Sequence, residues 1–323
     1  MALKLPGQWV WDSWFAFDAG VHHAFYLQAS RALGDPNRRH RNTSVGHSIS
    51  IDLKNWTVLR DALTPSESPA FDSWTTWTGS VVRHDGKWWM FYTGTSREDA
   101  GQRQSVGLAL SDDLITWTKH VPPTGEGTPL VAADSRWYQT LEGGFKLEPF
   151  RDPWVFRFKD AQGNETGDWH MLATASAASS TTGHQDAVMA HATSPDLLNW
   201  TVQPPLSEPL QGFGETEVFQ FEVIDGVPIV LFCCGPIWLH QSRLDAGERG
   251  GVYSLAVAPD LSDVDFNRSV LFDAPGLYAS RLVRDESGWN LVGFWDAPEG
   301  EFVGELCDPI PVTADPILGL VRR

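Results

Sequence analysis

The chain has 323 residues, 42% of them hydrophobic and 20% charged, a globular composition that excludes disorder and allows a sizeable core. A formal net charge of −17 repels phosphate backbones and anionic lipid, so nucleic acid and membrane surfaces are poor partners and a neutral ligand such as a carbohydrate fits better. No apolar run reaches membrane-span length, MALKLPGQWVWDSW lacks the charge-then-apolar order of a secretory leader, and Cys233, Cys234 and Cys307 form no even disulfide framework, which together point to free thiols in the cytoplasm.

Helical periodicity is missing, and short apolar or alternating runs recur between Gly, Pro, Asp and Asn turns, as in all-β chains. The first unit runs from a strand near Trp11 through a turn at Ala19-Gly20 to HHAFYLQ (22–28) and SIDLKNWT (50–57). His22 and His23 are adjacent on a strand and diverge, so they read as structural rather than as metal ligands. The second unit turns at Asp85-Gly86 into KWWMFYTG (87–94) and LSDDLITWT (110–118). The third turns at Ala161-Gln162-Gly163 into DWHMLATA (168–175) and TSPDLLNWT (193–201). The fourth turns at Asp225-Gly226 into VPIVLFCCG (227–235) and APDLSDVDF (258–266). The fifth turns at Ser287-Gly288 into GWNLVGFWD (288–296) and is completed by EFVGELCDPIPVT (301–313).

The ordered recurrence of two motifs argues against an accidental β-sandwich and for propeller blades of about four strands each. The expected fold is all-β: one domain over residues 1–323, a five-bladed β-propeller with no C-terminal β-sandwich. The repeated Asp-Leu-x-x-Trp reads as architecture, the Asp capping a turn and the Trp packing between blades.

In a propeller the first strand of each blade lines the central channel, and positions near its start converge at one mouth. Counting back from each hairpin glycine indexes Asp12, Thr78, Asp152, Glu217 and Ser280 to that position. Three are acids, and like charges buried together raise one another's pKa, so their grouping implies chemistry. Two facing carboxylates suffice to cleave a glycosidic bond, one protonating the leaving oxygen and the other attacking the anomeric carbon or activating water. Arg151 offers a planar donor fork, and a mutual pair with Asp152 is awkward because adjacent strand residues point to opposite faces. Glu215 competes with Glu217 on the same strand face; the offset to Asp225-Gly226 favours Glu217. Trp11, Trp14, Trp77 and Trp154 flank the strand starts, and Asp296 and Trp238 could border an outer subsite. Trp11 and Gln28, the latter at the end of the 22–28 strand, join the candidate sugar-binding side chains. No metal cluster, phosphate loop or nucleophile elbow is visible, so no cofactor is expected.

These residues resemble the glycoside hydrolase clan of families 32 and 68. Trp11-Asp12-Ser13-Trp14 resembles the family 68 nucleophile segment, and GHSISIDLKNW (46–56) resembles a family 32 pattern. Trp77-Thr78-Gly79-Ser80, Arg151-Asp152-Pro153 and Glu215-Thr216-Glu217-Val218-Phe219 resemble three further segments in the same order. Val218 stands where family 32 usually has a cysteine. The resemblance implies Asp12 as nucleophile, Glu217 as general acid/base and Asp152 as transition-state stabiliser. It implies sugar contacts from Trp77, Thr78, Arg151 and Glu215, and a retaining mechanism on fructofuranosides. The alternatives are an inverting arabinofuranosidase or xylosidase of the family 43 type and a sugar-binding propeller without catalysis.

Overall fold

Tight hairpins open the blades. Ala19-Gly20, Asp85-Gly86 and Asp225-Gly226 all have positive φ at both residues, the conformation that matches a two-residue turn to the strand twist. The third hairpin is longer, with the Asp160 carboxylate accepting from the amides of Gln162 and Asn164. The computed structural model describes residues 3–160, 162–180, 185–297 and 301–323; Ala161, part of the expected third turn, lies outside them.

Five four-stranded antiparallel sheets follow one another along the chain. Blade 1 holds β1 (Gln8–Asp18), β2 (Val21–Ser30), β3 (Ser44–Ser50) and β4 (Thr57–Val58). Blade 2 holds β5 (Thr75–His84), β6 (Lys87–Thr95), β7 (Gln104–Ser111) and β8 (Thr118–Lys119). Blade 3 holds β9 (Phe150–Lys159), β10 (Glu165–Ser176), β11 (Ala187–Ser194) and β12 (Thr201–Gln203). Blade 4 holds β13 (Glu217–Ile224), β14 (Val227–Cys234), β15 (Gly251–Ala256) and β16 (Val270–Leu271). Blade 5 holds β17 (Leu277–Asp285), β18 (Gly288–Trp295), β19 (Ile310–Asp315) and β20 (Gly319–Arg322). The inner strands β1, β5, β9, β13 and β17 touch in that order, and β17 returns to β1, closing the expected five-bladed ring.

Closure needs no shared blade. The amide of Val10 donates to the carbonyl of Gly304 at 2.9 Å, and that of Leu306 donates to Leu3 at 3.2 Å. Arg31 donates to the carbonyl of Val303 at 2.9 Å, and Trp9 packs edge-on against Phe302.

The Asp-Leu-x-x-Trp repeat lies in the outer hairpins. Asp52, Asp113 and Asp196 each accept two backbone amides two and three residues on, which holds their carboxyls below the usual range. The next residue, Leu53, Leu114, Leu197 or Leu261, takes a left-handed φ of 59°, 62°, 67° or 60°. That turn drives the leucine into the preceding blade. Leu114 joins Phe25 and Tyr26 of blade 1, Leu197 joins Phe91 of blade 2, Leu261 joins Leu172 of blade 3, and Leu53 joins Leu291 of blade 5. A fifth copy went unread in the sequence: Asp315 accepts the amides of Ile317 and Leu318, with Pro316 in place of leucine and no tryptophan after it.

Each inner strand carries a bulge near its start. Register shifts fall at Asp12 in β1, at Thr78 in β5, opposite Ala173 in β9, and after Glu217 and Tyr278 in β13 and β17. In blades 3 to 5 the bulge includes a non-glycine residue at positive φ: Asp152 at 59°, Val218 at 57° and Ala279 at 39°. Such conformations cost about 1–3 kcal/mol each and persist only where the surroundings enforce them. Bulges re-aim side chains, and here they turn consecutive residues toward the channel mouth.

Candidate active site

The bulges surround a cavity of about 440 Å³ at one end of the channel. Trp11 and Asp12 reach it from blade 1, Trp77 and Thr78 from blade 2, Arg151 and Asp152 from blade 3, and Glu215 and Glu217 from blade 4. Tyr278 completes the ring from blade 5.

Asp12 accepts a short hydrogen bond from the Thr78 hydroxyl. Burial, with Asp152 and Glu217 close by, pushes its carboxyl up to about 7, against the pull of Thr78 and Arg39. Gly79 makes room for this bulge: a Cβ there would stand 2.1 Å from the carbonyl oxygen of Phe91.

Asp152 is buried at 3% exposure, and Thr93 ties it to blade 2. The Thr93 hydroxyl donates to the carbonyl of Thr78 at 3.0 Å and accepts the amide of Asp152 at 2.8 Å. The Asp152 carboxylate accepts from Thr174 at 3.0 Å. Burial raises its pKa, with Arg151 opposing. The expectation that Arg151 and Asp152 diverge is corrected. Nε of Arg151 lies 3.3 Å from Oδ2 of Asp152, because the left-handed backbone at Asp152 breaks the strand's alternation.

Arg151 is the electrostatic hub. It donates to Gln104 at 3.0 Å, to Glu217 at 2.7 Å and, in a shorter contact, to Glu215. Glu217 is the first residue of β13, and its other oxygen accepts from the Tyr278 hydroxyl at 2.6 Å. Glu215 precedes the strand rather than sharing it, yet the same guanidinium nitrogen gathers both glutamates.

Of the candidates from sequence, Asp12, Asp152, Glu217, Trp11, Trp77, Thr78, Arg151 and Glu215 all line this cavity, as do Asp296 and Trp238. Gln28 does not: its amide is spent on Ser44 at 3.3 Å and Asp61 at 2.8 Å, while its neighbour Leu27 faces the cavity. Ser280 is buried against Gly293 and does not line the cavity; the blade 5 residue at the mouth is Tyr278. Trp14 lies in the core against Phe25, and Trp154 lines a separate cavity at the hairpin end of the channel. Sequence reasoning missed Tyr278, Gln104 and Arg39. Tyr278 takes the place of Arg151 and Glu217, each of which immediately precedes a residue at positive φ, a backbone feature that residue counting does not register. Gln104 and Arg39 sit on a middle strand and a connecting 3-10 turn (36–41), where the blade index has no counterpart.

Known proteins resemble the chain in sequence and in fold. The model of the glycosyl hydrolases family 32 N-terminal domain matches residues 12–236. A 6(G)-fructosyltransferase of Asparagus officinalis is 32% identical over 142 residues, 40% of this chain and 22% of that protein. A probable sucrose-6-phosphate hydrolase of Vibrio cholerae is 28% identical over 201 residues, 62% of this chain and 31% of that protein. The chain thus matches only about a third or less of the length of these curated relatives. Among solved structures, an inulosucrase from Halalkalicoccus jeotgali bound to kestose superposes with a TM-score of 0.73 at 21% identity, over 96% of this chain and 86% of that one. A family 32 β-fructofuranosidase of Bombyx mori gives 0.72 at 19% identity, over 97% and 62%. At these identities the likeness is one of fold.

Proposed function

The chain belongs to glycosyl hydrolase family 32, and from that premise we propose that it is a retaining glycoside hydrolase or transglycosidase acting on β-fructofuranosides such as sucrose or fructans. The observation that carries the reading is the convergence of Asp12, Asp152 and Glu217 from three blades on one cavity. In this reading Asp12 attacks the anomeric carbon. Its partial burial strips water from the carboxylate, and the Thr78 hydroxyl aims it. Glu217 protonates the leaving oxygen and then deprotonates the incoming water or sugar hydroxyl. Asp152, held by Thr93 and Thr174, accepts hydrogen bonds from ring hydroxyls as charge develops. Trp11 and Trp77 offer apolar faces to the sugar, and Arg151 and Glu215 bind its hydroxyls.

The names of the relatives support the substrate class, since they include a fructosyltransferase and a probable sucrose-6-phosphate hydrolase. Three cysteines, all buried and free, are compatible with a cytoplasmic setting. Incubation with sucrose, a fructan, and nitrophenyl arabinofuranoside and xyloside tests the reading. Release or transfer of fructose is the expected result. Turnover of only the arabinoside or xyloside, or binding without turnover, would replace it.

A further inference from the structure

Arg281 is among the most deeply buried side chains of the protein, at 1% exposure, and neither the repeat nor any motif marks it. It rises from β17 into the channel beneath the acid cluster. One terminal nitrogen donates to the carbonyl of Val218 at 3.1 Å and to that of Phe219; the other reaches the carbonyl of Gly79 at 3.4 Å. The guanidinium carbon lies 5.0 Å from the centre of the Trp154 ring. One side chain from blade 5 therefore touches blades 2, 3 and 4, each within two residues of Thr78, Asp152 or Glu217.

No carboxylate is hydrogen-bonded to Arg281 among the described residues, and its Nε has no partner. A lone buried cation is costly unless nearby anions balance it. The anions here are Asp152 and Asp12, which support its charge against burial. The groups facing this cluster are Arg39, Arg151, Glu217, Tyr278 and Cys233, with hydroxyls from Thr78 and Thr174. Arg151 is already divided among Asp152, Glu215 and Glu217. Burial lowers the Arg281 guanidinium only to about 10, so it stays charged wherever a carboxylate nucleophile could work.

We propose that Arg281 is a positioning residue for the reaction. It fixes the bulges of blades 2 and 4 through their backbone carbonyls, and its buried positive charge favours the ionised carboxylate of Asp152. The inference rests on the proposed role of this aspartate.

Two variants separate its parts. Arg281→Gln still donates to carbonyls but has no charge, whereas Arg281→Lys keeps the charge but loses the fork that spans two blades. With fructose release as the assay, Arg281→Gln should move the acid limb of kcat/KM upward by about one pH unit, a roughly tenfold loss below that limb. Arg281→Lys should leave the limb in place and lower kcat about tenfold or more. Thermal melts and circular dichroism establish folding, and the lysine variant carries the test if the glutamine variant does not fold. A wild-type pH profile in Arg281→Gln, or wild-type kcat in Arg281→Lys, overturns the proposal. Carbon-13 titration of aspartate carboxyls in wild type and Arg281→Gln reads the same shift without substrate. A wild-type protein that cleaves no fructoside would sink the proposed function, while unchanged aspartate titrations would sink the role of Arg281.

Discussion

The Tyr278 hydroxyl donates to Oε2 of Glu217 across 2.6 Å while Arg151 donates to Oε1 across 2.7 Å, so both oxygens of one carboxylate are held from opposite sides. The plane of Glu217 is thereby set by blades 3 and 5, not by its own strand. Tyr278→Phe should leave the fold intact and cost about tenfold in kcat/KM, mainly on substrates with poor leaving groups. Equal losses on activated aryl fructosides and on sucrose would argue against a role in orienting the acid.

Glu217 and Glu215 share Arg151 but differ in their second partners, and only Glu217 meets Tyr278. Glu217→Gln should slow poor leaving groups most, because activated aryl glycosides need less protonation. Glu215→Gln should weaken both substrates alike. The reverse pattern, read from kcat/KM across a leaving-group series, would exchange the two roles.

Asp12→Asn should lower turnover by about 10⁴-fold, the scale at which a single catalytic group is lost, and leave sucrose binding measurable by calorimetry. The first product released by the wild type, read by polarimetry before mutarotation, should have the anomeric configuration of the substrate. An inverted product rules out covalent attack by Asp12.

The same carboxylate should cost stability at neutral pH. Its folded-state pKa, about 7, lies above the ordinary value of an aspartate, so the native state holds a proton that the unfolded chain has released. Stability from this group is present below pH ~4 and is lost as the pH rises toward 7. Asp12→Asn should therefore melt roughly 2 °C or more above wild type at pH 7.5, and the gain should shrink at pH 4.5. A difference independent of pH would assign the effect to packing.

Asp196→Ala removes the acceptor for the amides of Leu198 and Asn199 on an outer hairpin, far from the cavity in the blade. About 1 kcal/mol of stability should be lost, as when other side-chain caps of backbone amides are removed, with kcat unchanged. Denaturant melts and sucrose kinetics on the same preparation check both halves.

Much of this was legible in the chain because it is local. Hairpins at Asp85-Gly86 and Asp225-Gly226, the Asp-Leu turns, and the alternation of the inner strands all follow from bonding within a few residues. They suffice to count five blades and to bring Asp12, Asp152 and Glu217 to one mouth. Counting residues failed at the bulges. A left-handed residue such as Ala279 shifts the side-chain phase, so the index pointed to Ser280 where Tyr278 enters the site. The fifth Asp turn was hidden because Pro316 and the lost tryptophan erased its signature, although Asp315 keeps the bonds. The partners across the channel were beyond any local pattern. Arg151 gathers Glu215 and Glu217, Thr93 joins Thr78 to Asp152, and Arg281 spans three blades, only because closing the ring sets distant strand starts side by side. Local hydrogen bonding determined the blades and which acids they carry; ring closure decided what surrounds each acid, and hence which carboxyl is desolvated and which is aimed.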